Sequence, residues 1–129
     1  MSQEDVELVR RGFEGFVAGE ILWDTLDEEI EVHDHDILDA GEYRGHSGFT
    51  LWLEDWGAGL PVISLELQEL IDAGDTVVAL FLLKARGRGS SVDVEREDGI
   101  VYKVRNGRIV RLDYYNSKQQ ALEAAGLSE

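Results

Sequence analysis

The fold of this chain is decided by one segment, residues 97–116, which reads EDGIVYKVRNGRIVRLDYYN. Apolar and polar residues alternate on both sides of Asn106-Gly107, a dipeptide typical of tight β-hairpin turns. This dipeptide permits two registers. A two-residue turn pairs Arg105 with Arg108, whereas a three-residue loop with a left-handed Gly107 pairs Val104 with Arg108.

The register decides which side chains of the hairpin face the interior. With the three-residue loop, one side is largely apolar and collects Asp98, Ile100, Tyr102, Val104, Val110, Leu112, Tyr114 and Asn116. The other side then carries Arg111 and Asp113 together with Val101, Ile109 and Tyr115. Because unpaired charges are costly to bury, we expect the three-residue loop and assign the first side to the interior.

The residues before the hairpin predict helices first. Apolar residues at helical spacing indicate a helix that Ser2 opens with a capping box and Gly19 ends. Three elements follow: a short helix with Ile21, Leu22 and Leu26, a strand through Ile30 and Val32, and a helix that Ser47 caps and that carries Phe49, Trp52, Leu53 and Trp56.

Long stretches with period-2 alternation dominate the second half. They predict strands over 62–72, 76–88, 92–105 and 108–116, and a capping box at Ser117 opens a terminal helix. The apolar alternation of the first of these strands changes parity between Leu67 and Leu70, as a β-bulge would cause. We therefore predict one α+β domain over residues 1–129, with a four- to six-stranded mixed or antiparallel sheet and all helices on its concave face.

The charge balance limits the possible partners. Twelve Lys and Arg against 27 Asp and Glu give a formal net charge of −15, a field that repels phosphate backbones and anionic membrane surfaces. We therefore expect neither nucleic acid nor a membrane as a partner. The chain has no cysteine, which is compatible with a reducing cytoplasm. Its first residues lack the pattern of a signal peptide, so we expect a cytoplasmic protein.

Six short stretches carry a resemblance to a known superfamily. They are EDVELVRRGF at residues 4–13, AGE at 18–20, YRGH at 43–46, LIDAGD at 70–75, NGRIVR at 106–111 and ALEAAGL at 121–127. Together with the order of the elements, they resemble the nuclear transport factor 2-like superfamily, in particular its SnoaL-like and ketosteroid-isomerase-like domains. The resemblance implies a cone-shaped, curved sheet wrapped around the N-terminal helices, a ligand pocket at its open end, and a homodimer formed through the outer sheet face.

Asp34 is the candidate catalytic base. It follows Ile30 and Val32 at period 2, so its side chain should face the interior as theirs do. A carboxylate among apolar side chains loses hydration, which suits a base that abstracts a proton beside a carbonyl group. The resemblance adds that the catalytic aspartate of ketosteroid isomerase falls on this position.

The remaining candidates are residues that could replace the hydrogen-bond donors that this chain lacks relative to ketosteroid isomerase, or that could contact the substrate. The oxyanion donors of ketosteroid isomerase fall on Gly12 and Ile100, which cannot donate. Asp98, two residues before Ile100 on the same face, is therefore a second catalytic candidate. The candidate substrate-binding residues are Tyr102, Tyr114, Asn116, the pair Trp52 and Trp56, and His35.

A metal site is the least favoured interpretation of this region. His33 and His35 share one strand face and flank Asp34, so the three side chains offer metal-binding groups. However, the parity that turns Asp34 inward turns both histidines away from it. We therefore expect neither a metal nor a cofactor.

These observations predict a protein that binds a small hydrophobic molecule. The favoured function is that of a cofactor-free isomerase or cyclase that abstracts a proton next to a carbonyl group of a polyketide-like or terpenoid compound. The alternative is a non-catalytic module that binds a similar molecule, because one fold hosts both kinds of protein.

Overall fold

The computed structural model describes residues 2–35, 42–59, 62–86 and 93–127. The elements in these ranges are α1 (Ser2–Ala18), a 3₁₀ turn (Trp23–Thr25), β1 (Leu26–Asp34), β2 (Glu42–Arg44), α2 (Gly45–Gly59), β3 (Val62–Asp72), β4 (Thr76–Arg86), β5 (Asp93–Arg105), β6 (Arg108–Tyr115) and α3 (Lys118–Ala124). No helix in the described ranges combines the length and the apolar character that a bilayer crossing requires.

The six strands form one mixed sheet in the order β2-β1-β6-β5-β4-β3. β1 runs parallel to β6, and the other neighbouring strands are antiparallel. The sheet has the curved, cone-like form that the family resemblance implied. We call the face that carries α1 and α2 the inner face: α1 packs on β3 and β4, and α2 packs on β1 and β2.

The larger apolar core lies between the inner face and these two helices. Along β4, the inward side chains of Val77, Ala79, Phe81 and Leu83 are buried. They share one cluster with Val9 and Phe13 of α1 and with Phe49 and Trp52 of α2. Each large apolar side chain that leaves water in this way contributes about 1.5–3 kcal/mol, so the inner face is the main source of stability.

The hairpin between β5 and β6 corrects one prediction and confirms another. The turn has two residues, since Arg105 pairs with Arg108, and the φ angles of Asn106 and Gly107 are 55° and 76°, as a type I′ turn requires. The predicted three-residue loop is therefore wrong.

A register shift after Lys103 nevertheless restores the predicted faces. Val110 is the extra residue of this bulge, and beyond it Tyr102 pairs with Leu112 and Ile100 with Tyr114. These four residues are among those that the sequence assigned to one interior side, and for them the assignment is confirmed. Val110 and Asn116, assigned to the same side, are not part of the inner core. Ile109 differs, because it lies on the turn side of the bulge and is buried in the inner core instead of facing outward.

Three further elements test the sequence pattern. β3 has the predicted bulge, with a register shift between Leu67 and Glu69. The predicted short helix is reduced to the 3₁₀ turn, and Leu26 begins β1 instead. Ser117 caps α3 as predicted, since its side chain accepts a hydrogen bond from the backbone N–H of Gln120.

The prediction that all helices cover one face is wrong for α3. This helix packs on the outer face, where Ala121 shares a second core with Val78, Leu80 and Val101. The close approach depends on Gly99 of β5. A Cβ at residue 99 would lie 2.5 Å from the Ala121 Cβ and 3.2 Å from the Leu80 Cδ2.

Gly99→Ala should therefore lower the free energy of unfolding by about 1–3 kcal/mol, because the added methyl group overpacks the contact between α3 and β5. Urea denaturation followed by circular dichroism measures the change. Gly12→Ala is the matched control, since its Cβ would meet its nearest neighbours at an ordinary 3.5 Å and alanine favours a helix by about 1 kcal/mol. Equal destabilisation by both substitutions would contradict the packing described for α3.

Candidate active site

Asp34 is the last residue of β1 and points to the inner face. It follows the buried Ile30 and Val32 at period 2, and only 2% of its surface is exposed. In the parallel pairing of β1 with β6, it lies opposite Tyr114. The inward orientation predicted from the sequence is therefore confirmed, whereas the role of the carboxyl group as a base stays a prediction.

A tryptophan of α2 holds the Asp34 carboxylate. The indole Nε1–H of Trp52 donates to Asp34 Oδ2 over 2.7 Å. The Trp52 ring packs against other aromatic rings: it lies nearly parallel to the Phe16 ring with centroids 6.4 Å apart, and it is in T-shaped contact with Phe49 and Tyr114. Trp56 lies one turn later on α2, and its side chain is outside the described part of the structure.

Asp98 of β5 is the second buried carboxylate of the inner face, with no exposed surface. Arg96 donates to both of its oxygens, through Nε to Oδ1 over 2.6 Å and through Nη2 to Oδ2 over 2.9 Å. The Tyr114 hydroxyl donates to the same Oδ2. Burial raises the pKa of Tyr114, the neighbouring Asp98 raises it further, and Arg96 opposes this.

Arg96 is a site residue that the sequence analysis missed. Its position carried a signal, because Arg96 precedes Asp98 by two residues on the same predicted strand and therefore shares its face. A charged pair at this spacing on an inward face is the pattern expected of a buried, satisfied carboxylate.

An apolar cavity of about 20 Å³ lies next to these residues. Its wall is formed by Gly12, Phe16, Ile21, Leu22, Thr25, Leu26, Phe49, Trp52, Ile100, Tyr102, Ile109 and Leu112. Of the predicted site residues, Trp52 and Tyr102 are in this wall, and Asp34, Asp98 and Tyr114 are not. A space of this size holds about one water molecule, so a larger ligand has to displace wall side chains.

The two positions that correspond to the missing oxyanion donors, Gly12 and Ile100, both belong to this wall. Neither offers a polar side chain. The wall is therefore apolar at the places where the resemblance would put hydrogen-bond donors, and any donor to a ligand has to come from another wall residue.

His35 lies on the outer face and not with the other candidates. Its ring stacks on Tyr115 with centroids 4.4 Å apart and an interplanar angle of 2°, and its Nε2 is 2.9 Å from Asp113 Oδ1. Arg111 donates to both oxygens of Asp113 over 2.8 and 3.1 Å. Strand parity separates this group from Asp34, as the sequence predicted for the histidines.

Two further predicted features lie away from the cavity. Asn116 follows β6 and lines a surface groove beside α3 with Ser117 and Leu122. His33 is near acidic side chains, at 3.1 Å from Glu31 and 3.6 Å from Glu42. In the described ranges, no group of three or more His, Asp or Glu side chains is arranged to hold a metal ion.

The fold and the sequence together identify the family. An α+β roll of this topology, with carboxylates on the inner face and an apolar cavity under two helices, is typical of small-ligand pocket domains. The profile of the SnoaL-like domain family matches residues 9–112, and the chain therefore belongs to this family. No curated protein matches the sequence significantly.

Solved structures show the same fold at low sequence identity. Bal32a, from a soil-derived mobile gene cassette, has a TM-score of 0.76 at 20% identity, covering 95% of this chain and 96% of Bal32a. TerC, co-crystallised with polyporic acid, has a TM-score of 0.76 at 18% identity, covering 95% and 98%. A protein from Jannaschia sp. CCS1, provisionally assigned as a SnoaL-like polyketide cyclase, has a TM-score of 0.73 at 17% identity, covering 99% and 94%.

The stability of the fold depends on pH through Asp113, which Arg111 and His35 contact on the outer face. Burial raises the pKa of the Asp113 carboxyl group, but the hydrogen bonds of Arg111 and His35 lower it by more, so the net pKa lies below the ordinary value of 3.8. A lowered pKa in the folded state means that the ionised carboxylate stabilises the fold above the unfolded-state pKa. This contribution is lost as the pH falls through the folded-state pKa.

Asp113→Asn should therefore be less stable than the wild type at pH 7, and the difference in the free energy of unfolding should shrink below about pH 4. Urea denaturation at a series of pH values between 7 and 3 measures it. The exposed Asp75 provides the control, since Asp75→Asn should leave the stability nearly unchanged at each pH. A difference for Asp113→Asn that is constant with pH would contradict the prediction.

Proposed function

We propose that this chain binds a small, largely apolar carbonyl compound at the cavity and moves a proton at the carbon next to the carbonyl group. In this proposal it is a cofactor-free isomerase or cyclase with Asp34 as the base. The observation that carries the proposal is the contact between Asp34 and Trp52, because a single residue both holds the buried carboxylate and forms part of the cavity wall.

The partners of the two buried carboxylates favour Asp34 over Asp98 as the base. Asp98 accepts from the guanidinium group of Arg96 at both oxygens, and this two-bond contact engages the oxygens that a base has to offer to the substrate proton. Asp34 accepts from the indole of Trp52, a residue of the cavity wall that a ligand can displace. In this proposal Asp98 orients the Tyr114 hydroxyl beside the site instead of taking the substrate proton.

Access to Asp34 requires Trp52 to move. Its ring is in the cavity wall, whereas the carboxylate is not. Displacement of the indole by a ligand would break the 2.7 Å hydrogen bond, enlarge the cavity and expose the Asp34 oxygen to the ligand.

The proton transfer uses only groups of the protein and the substrate. The bond between the α-carbon and its hydrogen breaks, the proton passes to Asp34, and the electron pair forms the carbon–carbon double bond of an enolate. In an unsaturated ketone the enolate is conjugated with a second double bond, and return of the proton from Asp34 to the far carbon of this dienolate isomerises the substrate. In a diketone, attack of the enolate carbon on the second carbonyl group closes a ring and leaves an alkoxide, which takes the proton back from Asp34. The provisional cyclase assignment of the Jannaschia protein supports a reaction of this class.

Asp34→Asn should reduce the exchange of α-protons by about a hundredfold or more, because the variant keeps the shape of the side chain and removes the base. The measurement is deuterium incorporation into the α-positions of 1-indanone and 2-tetralone in D₂O, followed by NMR. The matched control is Asp113→Asn, which alters a buried aspartate on the outer face and should retain exchange. Equal exchange rates in the wild type and Asp34→Asn would contradict the role of Asp34.

A non-catalytic binding module is the second candidate function. The observation that favours it is the apolar character of Gly12 and Ile100 in the cavity wall, since no side chain at these positions stabilises an enolate. In that case, ligands should bind with similar affinity to the wild type and to Asp34→Asn, and neither protein should exchange α-protons above the rate in buffer.

We also propose that the protein is a homodimer formed through the outer face, and that it is cytoplasmic. Two apolar residues that the sequence placed on the outer face give the dimer little support. Val101 is only 7% exposed within one chain, and Ile109 belongs to the inner core. Tyr115, which stacks on His35, remains half-buried on this face. The family resemblance and this remaining aromatic surface support the dimer.

Light scattering at tens of micromolar protein should therefore give twice the chain mass of 14.4 kDa. Tyr115→Glu should shift the protein toward the monomer, because it places a charge in the proposed interface. A single chain mass for the wild type at this concentration would contradict the homodimer.

A further inference from the structure

Three side chains in the cavity wall can donate a hydrogen bond, and two of them already do so within the protein. The Thr25 hydroxyl donates to the backbone carbonyl of Leu22 over 2.7 Å, and the Trp52 indole donates to Asp34. The third is Tyr102. Among the residues that the structure describes, its hydroxyl group has no hydrogen-bond partner.

The surroundings of Tyr102 explain why no described side chain accepts a hydrogen bond from its hydroxyl group. Tyr102 lies on the inner face of β5 between Val77 of β4 and Leu112 of β6, both apolar. The residue is 4% exposed, yet no fully buried side-chain nitrogen or oxygen in the described ranges lacks a partner. The hydroxyl oxygen therefore keeps contact with open space, and the cavity is the space that this side chain lines.

We propose that the Tyr102 hydroxyl donates the hydrogen bond that holds the carbonyl oxygen of the ligand. The inference rests on the proposed function and adds the group that recognises the substrate. Tyr102 follows Ile100 by two residues on the same face, so it supplies a donor from the same wall in which Gly12 and Ile100 supply none.

The protonation of Tyr102 suits this role. Burial raises the pKa of its hydroxyl group above the ordinary value, so the group stays neutral and keeps its proton throughout the physiological range. When the substrate becomes an enolate, negative charge develops on the oxygen that accepts this hydrogen bond, and the bond strengthens without transfer of the tyrosine proton.

The wall also restricts the chemical class of the ligand. A hydrocarbon leaves the Tyr102 hydroxyl without a partner in an apolar site, which is unfavourable. A polyhydroxylated or charged molecule loses hydration that one donor cannot replace. The class that fits is an apolar ketone with a hydrogen on the carbon next to the carbonyl group and with its carbonyl oxygen at Tyr102.

The test compares 1-indanone with indane, which share a ring skeleton and differ in the carbonyl group. Quenching of tryptophan fluorescence gives both affinities, because Trp52 belongs to the cavity wall. The wild type should bind 1-indanone about tenfold more tightly than indane, and Tyr102→Phe should abolish most of this preference. Tyr43→Phe is the matched control: its hydroxyl donates to Asp55 away from the cavity, so the preference should persist.

A measurement on the wild type covers the case in which Tyr102→Phe fails to fold. The infrared carbonyl stretch of bound 1-indanone should lie at a lower frequency than in a hydrocarbon solvent, because a hydrogen bond weakens the carbonyl bond. An unshifted stretch, equal affinities for the two compounds, or no measurable binding of 1-indanone would overturn the inference. A protein that still binds 1-indanone more tightly than indane but does not exchange α-protons would contradict the proposed function and leave the inference about Tyr102 intact.

Discussion

Two carboxylates buried on the apolar face of the sheet determine how the other elements pack. Asp34 and Asp98 are 2% and 0% exposed, and an ionised carboxylate away from water is costly unless it is hydrogen-bonded or paired. Trp52 satisfies Asp34 and so ties α2 to β1. Arg96 and Tyr114 satisfy Asp98 and so tie β5 to β6. The groups with the chemistry for catalysis are therefore also the groups that fix the interior, and the two roles have to be separated by measuring stability and proton exchange on the same variants.

The sequence predicted those features that depend on periodicity and failed where long-range packing decides. Period-2 alternation gave the strands, the bulge in β3 and the inward side of Asp34, because side-chain direction in a strand is local. The turn at Asn106-Gly107 was assigned wrongly because two local structures turn most side chains of the hairpin to the same side of the sheet. One is a three-residue loop, and the other is a two-residue turn followed by a bulge at Val110. The side of the sheet on which α3 packs was also beyond local pattern, since it depends on the absence of a side chain at Gly99 of a distant strand.

The candidate site was predicted less completely than the fold for a related reason. Parity brought Asp34, Asp98 and Tyr114 to one face, but only the packed structure shows that Trp52 covers Asp34 and that the cavity wall excludes the carboxylates. Parity also placed His33 and His35 on the opposite side, which the outer-face contacts of His35 bear out. From the sequence, Tyr102 was only one of several candidate substrate-binding residues. Its strand position could not show whether its hydroxyl group is available to a ligand, because this depends on whether neighbouring side chains accept its hydrogen bond.

The inner face of β5 changes in character along its length, from Arg96 and Asp98 to Ile100 and Tyr102, and this gradient constrains the substrate. Asp34 lies two strands away from β5, opposite Tyr114, which pairs with Ile100. Tyr102 is two residues beyond Ile100, so strand spacings of about 4.8 Å and a rise of about 3.3 Å per residue put its Cα about 12 Å from that of Asp34. The side chains of both residues project from the inner face, so this separation lies along the sheet and the ligand has to lie above it. In the proposed function Tyr102 holds the carbonyl oxygen and the adjacent carbon faces Asp34, which requires displacement of the Trp52 ring that lies in the cavity wall and binds the carboxylate.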